Sequence, residues 1–213
     1  EELFHSCRID EVVGAVQAVR NQFQPRRLLL AGFSLGGNFA LRIALRAPSC
    51  NLDIAYAFAV CPPIDPGASL TQIETAPWVY ERYFITKWID SLRRKQALFP
   101  ARYDFTEWLK KPTLRDLTAR LVEEFTDYGK LERYLDGYSI AGDRLSGLTV
   151  PASILTAEDD PVIPIGDYRE LQLPTHTELV LAEHGGHCGF IEDWRLKSWV
   201  EDVLVERLIS ASA

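Results

Sequence analysis

The chain has 213 residues, 47% apolar, 25% charged and 11% aromatic, which suits a well-cored globular protein and excludes a disordered chain, a collagen-like repeat or a disulfide miniprotein. A formal net charge of −7, with no basic cluster longer than Arg93-Arg94-Lys95, lacks the electrostatic footprint of a nucleic-acid binder. No stretch approaches the roughly 18 to 20 apolar residues of a membrane helix, and Glu1-Glu2 is not the basic start of a signal peptide, so a cytoplasmic protein with no stable membrane span is expected.

Ile9, Val12, Val13, Val16 and Val19 recur at helical spacing, with acids in the first turn and Arg20 in the last, and predict a surface helix ending before Pro25. Leu28 to Ala31 is too short an apolar run for a helix and reads as a strand buried on both faces of a parallel sheet. It leads into Gly32-Phe33-Ser34-Leu35-Gly36-Gly37, and a second helix is expected from Asn38 to Arg46. Ile54 to Val60 is another buried strand, stopped by Pro62-Pro63.

From residue 66 to 147 the alternation breaks. Tyr80, Phe84, Ile85, Trp88, Ile89 and Leu92 form one helical stripe. Leu114, Leu117, Leu121, Val122 and Phe125 form another, opened by a capping box from Thr113 to Asp116. The alternation resumes with strands at Ala152 to Thr156 and Glu178 to Leu181, then a closing helix from Leu196 to Leu208. The expected architecture is therefore α/β with a mostly parallel sheet, its core in residues 1–65 and 148–213, and a helical cap insertion at 66–147.

Gly32-Phe33-Ser34-Leu35-Gly36 matches G-x-S-x-G between a strand and a helix, where a tight turn lifts a serine hydroxyl above the sheet. Glycines two positions either side are expected to relieve collisions in that turn. A serine is a weak nucleophile and needs a base held by a third group, so a carboxylate and a histidine are sought downstream. Both follow strands: Glu158-Asp159-Asp160-Pro161 after 152–156, and His184-Gly185-Gly186-His187-Cys188-Gly189-Phe190 after 178–181. His184 and His187 compete for the base, while His5 and His176 have no company in the sequence. The His184-x-x-His187 pair is a poor metal motif, because Gly185-Gly186 precludes the helix a zinc-binding pair sits on.

The order Ser34, Asp160, His187 resembles the α/β-hydrolase superfamily, and more closely its YheT-like and ABHD-type branch, over nearly the whole chain. Gly32-Phe33-Ser34-Leu35-Gly36-Gly37-Asn38 resembles the superfamily at large, and the narrower match is carried by Asp159-Asp160-Pro161 and Gly185-Gly186-His187-Cys188-Gly189-Phe190. The resemblance implies Ser34 as nucleophile, His187 as general base and then acid, and Asp160 as the orienting carboxylate, with Asp159 the runner-up. It implies no cofactor and no metal, and Ser34 argues against the epoxide hydrolases and dehalogenases that carry aspartate there.

In that family the nucleophile follows the fifth of eight strands, so strands 5 to 8 are recognisable here and the N-terminal part of the fold is missing. The upstream loop that supplies one oxyanion N–H is missing with it, leaving the backbone N–H of Leu35, a loss that costs about 10²- to 10³-fold in rate. With no methionine in the chain, position 1 is not expected to be the translation start. The strand at 28–31 is expected to be an open edge, covered by an upstream segment or by another copy in a homo-oligomer. Cys7, Cys50, Cys61 and Cys188 are widely spaced and expected to be reduced. Nine aromatics between Trp78 and Trp108 tilt the expected substrate towards a small-molecule carboxylic ester with an apolar acyl group. An acyltransferase with the same triad, a peptidase, and a hydrolase relic that only binds remain open alternatives.

Overall fold

The computed structural model describes residues 2–110 and 112–212. Helix α1 (Ile9–Phe23) ends on Gln24, whose left-handed backbone (φ 44°) returns its N–H to the Arg20 carbonyl just before Pro25 forbids another turn. Strand β1 (Leu28–Phe33), helix α2 (Leu35–Arg46) and strand β2 (Ile54–Val60) follow. Four helices then occupy the interval before the next strand: α3 (Pro66–Thr75), α4 (Trp78–Leu98), α5 (Leu114–Phe125) and α6 (Leu131–Asp136). Strand β3 (Ala152–Ala157), short helix α7 (Ile165–Arg169), strand β4 (Thr177–Ala182) and helix α8 (Trp199–Ser212) complete the chain.

The strands form one sheet in the order β1-β2-β3-β4, every neighbouring pair parallel. Parallel neighbours need crossovers, which α2, the α3–α6 segment and α7 supply, so all four strands deliver their C-terminal ends to the same rim. Side-chain alternation divides the core. Ala57, Ala59, Ala152 and Ile154 face the cluster built with α2, α3 and α7, while Phe58, Val60, Leu155 and Ala157 face the smaller one capped by Val200 of α8.

Three expectations shift. Strand β1 is half-buried rather than buried on both faces, because it is the edge strand and has no neighbour beyond it among the described residues. Helix α2 starts at Leu35, three residues before the expected Asn38, since the chain turns from strand to helix within Ser34 itself. Helix α8 starts at Trp199, not Leu196. Leu196 sits at φ 63° and is 74% exposed, in a turn whose N–H bonds the Asp193 carbonyl.

Most of the aromatic concentration at 78–108 is spent on packing. Tyr103, Phe105 and Trp108 bury with Leu92, Leu117 and Leu121 in a cluster of their own, Tyr103 stacked on Phe105 at 5.5 Å between ring centroids. The Thr113 capping box forms as expected: its hydroxyl accepts the Asp116 N–H at 3.0 Å, and the Asp116 carboxylate accepts the Thr113 N–H at 3.2 Å. Among the described residues, no helix is long and apolar enough to cross a membrane.

Candidate active site

The turn from β1 to α2 is held by backbone. Ser34 donates its N–H to the Val60 carbonyl at 2.8 Å, and its own carbonyl accepts the N–H groups of Gly37 and Asn38 at 2.9 and 3.2 Å. Satisfying these bonds puts Ser34 at φ 50°, ψ −124°, a conformation that costs an L-residue about 1–3 kcal/mol. Gly32 makes the turn sterically possible, because a Cβ there would lie 2.2 Å from the Gly36 carbonyl oxygen. Gly36 meets nothing within 4 Å, so the expectation of a collision on both sides holds only at Gly32. The second crowded glycine is Gly37, where a Cβ would lie 3.0 Å from the Gly32 carbonyl oxygen and 3.3 Å from the Ala59 and Pro62 side chains.

These environments separate two otherwise similar substitutions. Gly32→Ala is expected to lower unfolding free energy by more than about 3 kcal/mol, or to prevent folding. Gly36→Ala, inside a helix with open space around it, is expected to be neutral or to stabilise by up to about 1 kcal/mol. Urea denaturation of both variants makes the comparison.

Asp160 lies in the turn after β3, with its side chain 0% exposed. Its Oδ1 accepts the N–H groups of Val162 and Ile163 at 2.8 and 3.1 Å, which fixes the carboxylate before any partner arrives. Asp159 does a different job. Its Oδ1 accepts the Gly185 and Gly186 N–H groups at 2.9 and 2.8 Å, tying the β3 turn to the loop after β4. The Gly186 N–H is the main reason the Asp159 carboxyl is held below its ordinary pKa.

That loop has its own steric logic: a Cβ on Gly185 would fall 2.3 Å from the buried Phe190 ring, and Gly186 takes φ 56°. His187 is thereby carried onto both partners. Its Nδ1 stands 2.9 Å from Asp160 Oδ2 and its Nε2 stands 3.0 Å from Ser34 Oγ. The three residues named from the sequence thus meet in one line of hydrogen bonds, although Ser34 and His187 are 153 positions apart. Asp160, not Asp159, is the carboxylate in reach of His187.

His184 is 79% exposed and lies beside Asp159 and Glu183 at 3.5 and 3.7 Å. His176 bonds the Leu148 carbonyl at 2.7 Å. His5, which has no company in sequence, has it in space: it stands edge-on to Tyr134 at 5.8 Å and lines the cavity beside Ser34.

Burial disfavours the charged form of His187, but hydrogen bonds to Asp160 and to Cys188 outweigh it and the group is pushed up to about 9. Cys188 is pushed down to about 6 by a hydrogen bond from the Cys61 thiol, against burial and with help from His187, while Cys61 moves up. Sequence reasoning does not place Cys61 at this site, because it reaches His187 from the end of a different strand.

The cavity in front of Ser34 has a volume of about 330 Å³. Leu70 and Ile73 of α3, Phe84 and Trp88 of α4, and Leu114 and Leu121 of α5 wall one side, and Phe4 to Ser6 another. Leu35 lines it beside Ser34, and as the first residue of α2 it has an N–H with no intrahelical acceptor. No Asp, Glu, Lys or Arg lines the cavity among the described residues, and His5 is kept towards its neutral form by burial.

A model of the alpha/beta hydrolase family matches residues 4–196. The protein YheT of Escherichia coli (strain K12) is 27% identical over 216 residues, covering 93% of this chain and 60% of its own length. The monoacylglycerol lipase of Saccharomyces cerevisiae is 24% identical over 212 residues, covering 95% of this chain and 46% of the lipase. The chain therefore spans about half to three-fifths of the length of these two relatives. Among solved structures, an alpha/beta fold family hydrolase from Bacillus anthracis str. Sterne superposes with a TM-score of 0.57 at 17% identity, covering 95% of this chain and 73% of that one.

Proposed function

The chain belongs to the alpha/beta hydrolase family, and from that premise we propose that it is a serine hydrolase cleaving a carboxylic ester through an acyl-enzyme. The observation that carries the reading is the unbroken line Ser34 Oγ, His187 Nε2, His187 Nδ1, Asp160 Oδ2, with bonds of 3.0 and 2.9 Å. In this reading neutral His187 takes the Ser34 proton as Oγ adds to the ester carbonyl. Asp160 stabilises the imidazolium, which then protonates the leaving alcohol as the tetrahedral intermediate collapses. Water, deprotonated by His187, attacks the acyl-enzyme, and His187 returns that proton to Ser34 Oγ as the acid is released. The Leu35 N–H, at the positive end of α2, is the oxyanion donor assigned to this chain.

The substrate reading rests on the cavity. With apolar walls and no ionised residue to meet a charged acyl part, it suits a neutral ester with an apolar acyl group. The insertion at 66–147 acts in this reading as a cap, since α3, α4 and α5 supply one wall opposite Ser34.

Labelling with a fluorophosphonate tests the nucleophile. One adduct on Ser34, absent from Ser34→Ala, is the expected result; a folded protein that stays unlabelled overturns the reading. The acyl pocket has a separate test in Leu70→Trp, which fills the cavity wall. Relative to the unsubstituted protein, its ratio of kcat/KM for an octanoate over an acetate ester is expected to fall by about tenfold or more. An unchanged ratio would move the acyl group elsewhere.

A further inference from the structure

Behind the Ser34–His187 bond lies a second constellation that ester hydrolysis does not use. Cys61 follows β2, Cys188 follows His187, and the two Sγ atoms and a His187 ring nitrogen all lie within 4.8 Å of one another. Cys61 is wholly buried and Cys188 half-buried, in a pocket of Phe58, Val60, Leu155 and Phe190. Their contacts are long ones for sulfur: Cys61 with the Gly186 carbonyl at 4.0 Å and Thr156 Oγ1 at 3.9 Å, and Cys188 with the Val60 carbonyl at 3.9 Å. Beyond the Cys61–Cys188 and Cys188–His187 hydrogen bonds inside the cluster, neither thiol has a close partner among the described residues.

We infer that Cys61, His187 and Cys188 form a site for a thiophilic divalent cation such as zinc, and that filling it switches the hydrolase off. Two sulfurs and one imidazole are a soft donor set, and three protein ligands leave a fourth position for water. Bond lengths of about 2.3 Å to sulfur and 2.0–2.1 Å to nitrogen set tetrahedral donors roughly 3.5–3.8 Å apart, so a cluster within 4.8 Å needs to contract by at most about 1.3 Å. A carboxylate hydrogen-bonded to the imidazole, as Asp160 is here, is the usual outer support of a metal-bound histidine.

The inhibitory consequence rests on the proposed hydrolase reading. A metal on Nε2 takes away the acceptor for the Ser34 proton, and a metal on Nδ1 displaces Asp160. Either way one of the two bonds at His187 is lost.

The test is a titration of the metal-free, reduced protein with Co2+, followed by absorption. The site predicts a thiolate-to-cobalt charge-transfer band that saturates at one equivalent and is displaced by Zn2+. The band is expected to vanish in Cys61→Ala/Cys188→Ala, with folding checked by circular dichroism. If that variant does not fold, Cys188→Ala alone, in the loop, is expected to lose about half the intensity. No band with the folded protein, or a band that survives loss of Cys61 and Cys188, overturns the site.

In a second arm, Zn2+ is expected to slow fluorophosphonate labelling of Ser34 by about tenfold or more, and to have little effect on Cys188→Ala. Equal zinc sensitivity in both proteins overturns the switch. Failure of the metal-free protein to label at all counts against the hydrolase reading, and the cobalt titration still decides the site.

Discussion

Asp160→Asn is expected to lower kcat on an activated ester by about 10⁴-fold while leaving the fold intact. The reason lies in how the carboxylate is held. Oδ1 accepts the Val162 and Ile163 N–H groups, whereas Oδ2 makes the shorter bond to His187 Nδ1. An asparagine placed here keeps its carbonyl oxygen on the two backbone donors and turns its NH2 towards His187. The imidazole must then accept at Nδ1 and carry its proton on Nε2, where it donates to Ser34 instead of receiving from it. The catalytic line is reversed without any loss of packing.

Asp159→Asn makes the matched comparison. Its carbonyl oxygen can go on accepting the Gly185 and Gly186 N–H groups, and only the charge beside the exposed His184 is lost. A fall of less than about tenfold is expected. Steady-state kinetics on both variants, with circular dichroism as the control, tests the assignment, and equal losses would overturn it.

The contrast between these neighbours shows where sequence reading works at this site and where it stops. Ser34, Asp160 and His187 are legible because each follows a short apolar run, and a parallel sheet brings such run ends to one rim. Nothing local says which of two adjacent aspartates faces the histidine. That is decided by the turn in which Val162 and Ile163 point their N–H groups back at Asp160. Similarly, G-x-S-x-G shows two symmetric glycines, yet only Gly32 is crowded, because the helix backbone comes over it and leaves Gly36 facing open space.

Apolar content alone stops short in the same way at two places. The run at 28–31 looks fully buried by its own composition; only the absence of an upstream strand makes it the expected open edge, and among the described residues β1 is indeed at the edge of the sheet. The nine aromatics of 78–108 tilt towards an apolar pocket only by their concentration, packing being the commoner fate of each. Phe99, Tyr103, Phe105 and Trp108 go into a core between α4 and α5, Phe84 and Trp88 reach the cavity, and Trp78 and Tyr83 are exposed. Periodicity reports that a residue wants to be buried, not what it is buried against.

The rate of ester cleavage is expected to rise with pH across the neutral range, with its midpoint near pH 9 and its plateau above that. His187 must be neutral to take the Ser34 proton, so activity is lost as pH falls through its pKa. Burial alone would place that pKa below the ordinary imidazole value of 6.5; the hydrogen bonds to Asp160 and Cys188 carry it up to about 9. The groups facing the ring are Asp160 from the β3 turn, Cys61 from the end of β2, Cys188 from its own loop and the neutral Ser34. With two pH units between neutrality and that midpoint, roughly one molecule in a hundred holds His187 as a base at pH 7.

Cys188 is the adjustable part of this arrangement. Asp160 is fixed by two backbone N–H groups, but Cys188→Ala removes an acceptor from the imidazolium without adding a Cβ to the strained φ of 67°. Burial then opposes Asp160 alone, and the midpoint of the pH profile of kcat/KM is expected to fall by about one unit, raising the rate at pH 7 by up to tenfold. The measurement is a pH profile of both proteins on the same ester, with metal chelated. A midpoint that does not move would mean that Asp160 alone sets the proton affinity of His187, and that the thiol beside it contributes nothing to the resting charge of the site.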